Sequence, residues 1–393
     1  MVHLLYYESP RTTEWQTEVT DVVRKDDKFH LALATTNFYP EGGGQPSDRG
    51  TIDSIPVEHV YEHAGEVYHV VSSMPAGRAV VCKLDFDRRF DLMQQHTGQH
   101  LLSAVMFNRY GWETSSLHMG GEELSIDIQA PDISPDVLWS IEDVANDLVT
   151  GNLEIRTHVV TPEEAKKFPN RKIPPTAGTI RIVEISTHDF SPCCGTHVSR
   201  TGEIGLIKIT GTQKMKNETR LFFKCGKRAL HDYRTKQNII TDLSKLYKTD
   251  QGRLLSRIEA QEVQNQANWK ELTGLKEKLL KIEATELARA ATSHVIQRSY
   301  NDKSFNDLMI LSKHLLSAGD FIVILSSVPE KRLLFTRSEG INAVDCGRTL
   351  KEHLTNFKGK GGGKNNWANA GFGDIGDMRR FEAFLMKLLA ATA

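Results

Sequence analysis

The stretch from residue 231 to about residue 290 constrains the fold of this 393-residue chain more than any other feature. It is long and charged, it contains no proline, and Gly252 and Gly274 are its only breakers. Apolar side chains near its end keep the alternating spacing of a coiled-coil seam, namely Leu272, Leu275, Leu279 and Ile282. The intervening "QEVQNQAN" is polar. A long helical hairpin and a dimerising arm explain the pattern equally well.

The sequence on either side of this stretch is divided into short apolar runs by glycine, proline and aspartate. Before about Leu84, runs spaced by roughly 8–12 residues are typical of a small barrel or sandwich. The next segment mixes strand-like alternation with helical periodicity, and the last hundred residues return to an α/β pattern. We therefore expect an α+β multidomain protein. Its expected parts are a small β-barrel at 1–86, an α+β domain at 87–230, a helical segment at 231–294 and an α/β domain at 295–393.

Two local features of this expected architecture bear on function. A helix is predicted to begin near Asp87, as its N-cap, and to end at Gly111, because aspartate favours the N-cap and glycine the C′ position. Near the end of the chain, "KGKGGGKNNWANAGFGD" reads as a glycine-rich loop. It lacks the frame of a phosphate-binding P-loop, because no serine or threonine follows Lys364.

Composition indicates a reduced, cytoplasmic protein without a membrane segment. The five cysteines are odd in number and widely scattered, and the first residues lack the pattern of a signal peptide. No apolar run approaches the length of about 18 residues that a membrane helix needs. The chain has 49 basic and 50 acidic residues, so its net charge is near zero and only a local basic patch can attract nucleic acid.

Two pairs of side chains suggest a metal site. His96 and His100 are spaced i, i+4 on the predicted helix, so both imidazoles project from one face. Cys193 and His197 have the same spacing within a glycine-containing turn. Neither pair is decisive alone, but together they supply a nitrogen and sulfur set suited to tetrahedral Zn²⁺. Metalloprotease chemistry is disfavoured, since "HTGQH" lacks the glutamate that serves as general base.

Five motifs, in this order, carry a resemblance to a known family. They are "FYPEGGGQPSDRG", "HTGQHLLSA", "SSLHMG", "CCGTHV" and "GGGKNNWANAG". Together they resemble the editing half of alanyl-tRNA synthetase, without its activation domain. Nearly the whole chain is similar to the free-standing alanyl-tRNA editing (AlaX) family in its long form, which makes 87–230 the expected zinc-binding editing domain. The resemblance implies a hydrolase that deacylates tRNA(Ala) mischarged with serine or glycine.

The resemblance also implies roles for particular residues. The zinc ligands of the family, one ion per chain, fall on His96, His100, Cys193 and His197. The family usually has glycine where this chain has Cys194, which leaves open which sulfur binds the metal.

The resemblance places further residues of the family at the substrate. Ser116 falls near the position that senses the serine side chain, or is a plain loop serine, and His118 is either a substrate contact or a structural histidine. Gly43, Gly44 and Gln45 face the editing cleft in the longer family members, although three adjacent glycines also form ordinary turns. Ser116 and Gln45 are thus the expected discriminators against alanine, because a site must reward the serine hydroxyl.

The late glycine motif resembles the C-terminal DHH-associated domain of alanyl-tRNA synthetases, which contacts the tRNA elbow. The resemblance implies that Lys358, Lys360 and Lys364 bind phosphates, with Gly362 and Gly363 between them, and that Trp367 stacks on an unpaired base. A solvated basic loop with a core tryptophan is the alternative.

Three functions remain open from the sequence. The first is zinc-dependent editing of mischarged tRNA(Ala) in trans. The second is a non-catalytic tRNA-binding or dimerisation protein whose zinc is structural, with a homodimer formed through the helical arm and the C-terminal domain. The third is editing of the threonyl type, because the related threonyl-tRNA synthetase shares the same ligand frame.

Overall fold

The computed structural model describes residues 2–121, 124–130, 132–169 and 178–392. It divides into two compact units, Met1–Asp242 and Leu243–Ala393. Both units mix helices with sheets, so the expected α+β multidomain class is confirmed. Among the described residues, no helix is both long enough and apolar enough to cross a membrane.

The first unit begins with a segment rich in β-strands. Its elements are β1 (His3–Leu4), α1 (Leu5–Glu8), β2 (Glu14–Lys25), β3 (Lys28–Leu33), β4 (Thr35–Thr36), β5 (Gly50–Ile52), β6 (Ile55–His63), β7 (Glu66–Val71) and β8 (Ala79–Leu84). Six of the strands form a closed barrel in the order β2-β3-β7-β6-β5-β8, and β1 pairs with β4 outside it. Alternate residues such as Leu31, Val60 and Cys82 fill the interior. The loop from β4 to β5 carries the glycine-rich motif.

The remainder of the first unit is built around one long helix, α2 (Phe86–Tyr110). This helix begins two residues earlier than predicted, because the Asp85 side chain, rather than Asp87, accepts the Arg88 backbone N–H at 3.1 Å. It ends as predicted, with Gly111 left-handed at φ 69°. The elements that follow are β9 (Thr114–Met119), β10 (Leu124–Ile128), α3 (Pro135–Thr150), β11 (Ile155–Val160), α4 (Pro162–Ala165), β12 (Ile180–Ile185), β13 (Asp189–Pro192), β14 (Ile207–Lys214), β15 (Thr219–Cys225) and α5 (Gly226–Tyr247).

Two sheets accompany α2. One is antiparallel in the order β14-β15-β10-β9, and the other has the order β11-β12-β13. Leu101 and Met106 of α2 pack with Ile126 and Phe223 of the larger sheet in one buried core. This packing fixes the helix beside β9, while β13 leads into the turn that carries Cys193 and His197.

The second unit is a five-stranded sheet covered by helices. Its elements are α6 (Leu254–Ala290), β16 (Val295–Tyr300), α7 (Phe305–Ala318), β17 (Ile322–Ser327), β18 (Arg332–Arg337), α8 (Cys346–His353), β19 (Gly359–Lys364), β20 (Trp367–Phe372) and α9 (Ile375–Thr392). The strand order is β16-β17-β18-β20-β19. Along β17, Ile322 and Ile324 pack in the core beneath α8 and α9, whereas Val323 and Leu325 pack in the core beneath α6 and α7.

The helical segment is divided in two near Gly252. Helix α5 ends at Tyr247, and α6 runs from Leu254 to Ala290. Leu280 and Ala284 attach α6 to the core of the second unit. The residues of the expected coiled-coil seam are exposed in the single chain: Leu272, Leu275, Leu279 and Ile282.

The predicted glycine-rich loop is instead a β-hairpin, formed by β19 and β20. Glycine is needed in β19 because β20 approaches it closely. A Cβ atom added at Gly361 would lie 2.1 Å from the Asn369 carbonyl oxygen, and one at Gly363 would lie 2.1 Å from that of Trp367. Glycine has a weak intrinsic strand preference, which explains why the sequence pattern reads as a loop.

Candidate metal centre and cleft

The structure brings together the four side chains that the sequence selected as metal ligands. His96 and His100 project from adjacent turns of α2, and Cys193 and His197 come from the turn after β13. One ligand atom from each residue lies within 4.8 Å of every other. Cys193 Sγ is 3.4 Å from His96 Nε2 and 3.3 Å from His197 Nε2. The cluster can therefore hold a single metal ion.

Gln45 fixes the ring of His96 from the barrel side. Its Oε1 atom accepts the Thr196 backbone N–H at 3.0 Å and lies 2.9 Å from His96 Nδ1. Because Oε1 can only accept, Nδ1 must carry the proton and donate it. The Nε2 lone pair of His96 is then free to face the cluster, as metal ligation requires.

Equivalent contacts orient the other two imidazoles. Thr97 donates its hydroxyl proton to the Met93 carbonyl at 2.8 Å, so its oxygen accepts from His197 Nδ1 at 3.2 Å. Asp189 accepts from His100 Nδ1 at 3.0 Å. All three rings therefore direct Nε2 inwards, which is the tautomer that binds a metal.

Electrostatics favours the thiolate form of Cys193. Burial alone raises the pKa of this thiol, but the neighbouring His96 and His197 outweigh it and lower the pKa well below its usual value. Burial lowers the pKa of His197 to about 3. Burial also opposes protonation of His100, but the hydrogen bonds to Asp189 and Cys193 outweigh it and raise the pKa to about 9, so a metal ion that binds here must displace a proton from Nε2 of His100. A thiolate is the form in which cysteine binds metal.

The turn that carries Cys193 is held through its backbone carbonyl groups by the side chain of Arg181. Arg181 Nη1 donates to the carbonyl oxygens of Cys193, at 2.8 Å, and of Gly195, at 2.9 Å. Gly195 must be small, because an added Cβ would lie 2.1 Å from the His96 ring. The thiol of Cys194 is outside the ligand cluster. The structure therefore selects Cys193 as the sulfur of the site.

A cleft of about 590 Å³ opens beside the cluster. Gly43 and Ser116 line it, as the resemblance implied. Several polar residues in its wall were not selected from the sequence, among them Gln99, Glu113 and Gln129. For Gln99 a signal was available, because it follows His96 by three residues and so lies on the same side of the helix. Glu113 and Gln129 lie at strand ends that only the fold brings together.

Ser116 belongs to a hydrogen-bonded row across the larger sheet. It lies opposite Asp127 in the register of β9 and β10, and its hydroxyl donates to Asp127 Oδ2 at 2.7 Å. Arg220 Nε donates to the other carboxylate oxygen at 2.7 Å and lowers the pKa of Asp127. His118 approaches Ser116 and Asp127 with the same nitrogen, Nε2, at 3.1 and 3.0 Å. A nucleophilic triad needs the two nitrogens to face different partners, so these three residues are not one.

Gly44 and Gln45 lie behind the cleft wall rather than in it. Gly44 is left-handed at φ 82°, and a Cβ atom there would lie 3.0 Å from the Leu117 carbonyl oxygen. Gln45 is fully buried, and both ends of its amide contact the protein, since Nε2 donates to Thr196 Oγ1 at 2.9 Å. The expectation that Gln45 contacts the substrate is therefore corrected: its amide is occupied in holding His96 and Thr196.

The basic residues selected near the end of the chain lie on the β19–β20 hairpin of the second unit. Lys360 and Lys364 are exposed on β19, and Lys358 is exposed just before it. Gly362 has no atom within 4 Å of an added Cβ. Trp367 is half-buried and packs against the core beneath α6 and α7.

Comparison with known proteins extends over both units. Residues 180–222 match the family described as Threonyl and Alanyl tRNA synthetase second additional domain. Alanyl-tRNA editing protein Aarsd1 of Danio rerio is 32% identical over 344 residues, which are 86% of this chain and 82% of that protein. Alanyl-tRNA editing protein AlaX-L of Pyrococcus horikoshii is 30% identical over 387 residues, 94% of each chain.

One longer protein is similar to this chain over less than half of its own length. The chain is 29% identical to alanine--tRNA ligase of Methanobrevibacter smithii over 381 residues, which are 92% of this chain but 42% of that protein. The two editing proteins, by contrast, align along most of their own length. The chain belongs to the family of alanyl-tRNA editing proteins.

Proposed function

We propose that this protein is a zinc-dependent hydrolase that removes serine or glycine from mischarged tRNA(Ala) in the cytosol. The observation that carries the proposal is the convergence of three oriented imidazoles and one thiolate beside a cleft of about 590 Å³. The names of the relatives support the substrate class. The reaction is hydrolysis of the ester that joins the amino acid to the terminal adenosine.

Zinc is the metal that this donor set fits best. Three nitrogens and one thiolate match its tetrahedral preference, and hard cations such as Mg²⁺ prefer oxygen ligands. His96, His100, Cys193 and His197 would hold the ion. When bound, zinc supplies a positive charge that can orient the amino-acid ester or polarise its carbonyl group.

The cleft wall supplies polar groups for the amino-acid part of the substrate. The proton of Ser116 is donated to Asp127, so lone pairs of its oxygen remain to accept a hydrogen bond. A serine hydroxyl can donate that bond and alanine cannot. We infer that Ser116 rewards serine, and that Gln45 acts indirectly by positioning His96.

The second unit offers a surface for the rest of the tRNA. Lys358, Lys360 and Lys364 are exposed, as phosphate contacts must be. The half-buried Trp367 leaves part of its ring available for stacking on a base. The exposed seam of α6 suits a second copy of the chain, so we infer a homodimer through the helical arm and the C-terminal domain.

The decisive substrate test compares tRNA(Ala) charged with serine, glycine or alanine, and tRNA(Thr) charged with serine. We expect rapid release of serine or glycine from tRNA(Ala) and slow release of alanine. Faster hydrolysis of Ser-tRNA(Thr) than of Ser-tRNA(Ala) would support editing of the threonyl type instead.

A second function is favoured by one observation, the closed set of four protein ligands, since catalytic zinc usually keeps an open position. A non-catalytic tRNA-binding protein would bind Ser-tRNA(Ala) and release serine no faster than buffer does. Removal of its zinc would unfold it rather than change a rate.

A further inference from the structure

A second groove adjoins the metal cleft in the first unit. Its volume is about 830 Å³, and it lies between the end of β10 and the hairpin that joins β14 to β15. Gln129 lines both the cleft and this groove. The Gln129 backbone N–H donates to the Glu113 carbonyl at 2.9 Å, which holds the shared wall in place. A substrate seated in the cleft can therefore continue past Gln129.

The tip of the hairpin presents an unpaired cation to this groove. The Met215 backbone N–H donates to the Glu218 carbonyl at 2.8 Å and closes the tip, so that Lys216 and Asn217 are exposed there. Lys214 lies 3.4 Å from Asp132, but no ion pair joins Lys216 to any residue that the structure describes. Met215 is also exposed and offers apolar surface.

The acidic groups of the groove have basic neighbours. Asp132 lies beside Lys214, and Glu218 is two residues from Arg220 in the chain. Lys216 is thus a lining cation that no acidic group in the described part of the chain pairs, and it can bind an external anion. Exposed ion pairs such as Lys214 with Asp132 contribute little, so Lys214 can exchange its carboxylate for a phosphate at small cost.

We propose that this groove binds the single-stranded 3′ end of the tRNA, next to the terminal adenosine that the metal cleft holds. This inference rests on the proposed function. When the aminoacylated adenosine lies in the cleft, the nucleotides that precede it must extend out of the cleft. Each of these nucleotides has one phosphate and one unpaired base. Lys216 meets the phosphates, while Gln129, Asn217 and Met215 meet the bases.

The test measures deacylation of Ser-tRNA(Ala) and of 3′-O-seryl adenosine, which has the ester but no tail. Lys216→Ala is compared with Lys216→Arg, and with Lys83→Ala on the barrel as a control for loss of one surface charge. We expect Lys216→Ala to raise KM for the tRNA about fivefold, with kcat within about twofold. The slope of log KM against log salt should fall by about 0.7, the value for one phosphate of a single strand.

The short substrate and the controls decide the interpretation. Hydrolysis of seryl adenosine should be the same in Lys216→Ala as in the unaltered protein, and Lys216→Arg should restore the KM for the tRNA. An unchanged KM and salt slope, or equal losses on both substrates, would overturn the groove assignment while leaving the proposed function intact. If the unaltered protein hydrolyses neither substrate, the proposed function fails and the groove assignment falls with it.

Discussion

At the scale of single residues, metal binding depends on how each candidate ligand is held. The convergence of these four side chains was predictable, because each pair is local in sequence and has the spacing that one metal needs. Gln45 was misassigned. Its contact with His96 joins residues 51 positions apart, and a glutamine after three glycines looks like a loop residue until the fold buries it.

The first prediction concerns Gln45 as a positioning residue. Gln45→Met removes the acceptor of His96 Nδ1–H, so zinc affinity should fall by about 10- to 100-fold. Competition with a chelator of known affinity measures this. Gln95→Met is the matched control. Gln95 is also a buried glutamine, and it lies on α2 beside His96, but its amide bonds the backbone of Cys225 instead. Equal zinc affinities in the two variants would refute the role of Gln45.

Ser116 carries the second prediction. Ser116→Ala should reduce the ratio of serine to alanine release by about tenfold, because one hydrogen bond in the cleft is worth roughly 1–2 kcal/mol. Rates on Ser- and Ala-tRNA(Ala) provide the ratio. Ser115→Ala is the control, since Ser115 also lines the cleft but its hydroxyl donates to a backbone carbonyl. A ratio unchanged by Ser116→Ala removes Ser116 from the discrimination.

At the scale of elements, the long helices and most strands of the first unit follow from periodicity, and Gly111 ends α2 as predicted. The β19–β20 hairpin could not be predicted from the sequence pattern. Glycine has a low intrinsic preference for strands, so this segment looks like a loop. Glycine is required in β19 only because β20 lies so close. Propensity is local information, whereas that close approach is tertiary.

The hairpin provides a matched pair of variants. Gly361→Ala places a Cβ 2.1 Å from the Asn369 carbonyl oxygen, whereas Gly362→Ala meets nothing within 4 Å. Gly361→Ala should therefore destabilise the second unit by about 1–3 kcal/mol, as overpacking does. Gly362→Ala should stay within about 0.5 kcal/mol. Urea unfolding measures both, and similar losses would contradict the register of β19 with β20.

The stability of the barrel should depend on pH because of one buried histidine, His69. Burial lowers the pKa of His69 to about 4 from an ordinary value of 6.5, and its ring contacts Thr36 and the Leu31 carbonyl. Because the folded pKa is the lower one, His69 stabilises the barrel fully above pH 6.5, and this contribution is lost as the pH falls towards 4.

The measurement is hydrogen exchange of β3 and β7 amides at several pH values. Between pH 6.5 and 4, the protonation of His69 should cost the barrel about 3 kcal/mol that a His69→Gln variant does not lose. His30→Gln, at another barrel histidine that bonds Tyr61, is the matched control for replacing a barrel imidazole with an amide. A His69→Gln barrel with the same pH dependence as the unaltered one would show that His69 is not responsible.

At the scale of the whole molecule, the order of motifs was more informative than composition. The net charge of −1 gave no indication of nucleic acid, whereas the motif order indicated the family that the comparisons show. The domain boundaries at 86, 230 and 294 stay predictions. Helix α5 runs through the expected boundary at 230 and the division at Asp242, because no glycine or proline interrupts it after Gly226.

We expect the reaction to require one metal ion, held by four side chains from distant parts of the sequence. The most direct measurement determines zinc per chain and Ser-tRNA(Ala) deacylation in the same samples of the unaltered protein, Cys193→Ala and Cys194→Ala. We predict one zinc and full activity in the unaltered protein and in Cys194→Ala, with both lost in Cys193→Ala. A Cys193→Ala protein that keeps its zinc and its rate, or a Cys194→Ala protein that loses both, would contradict the account.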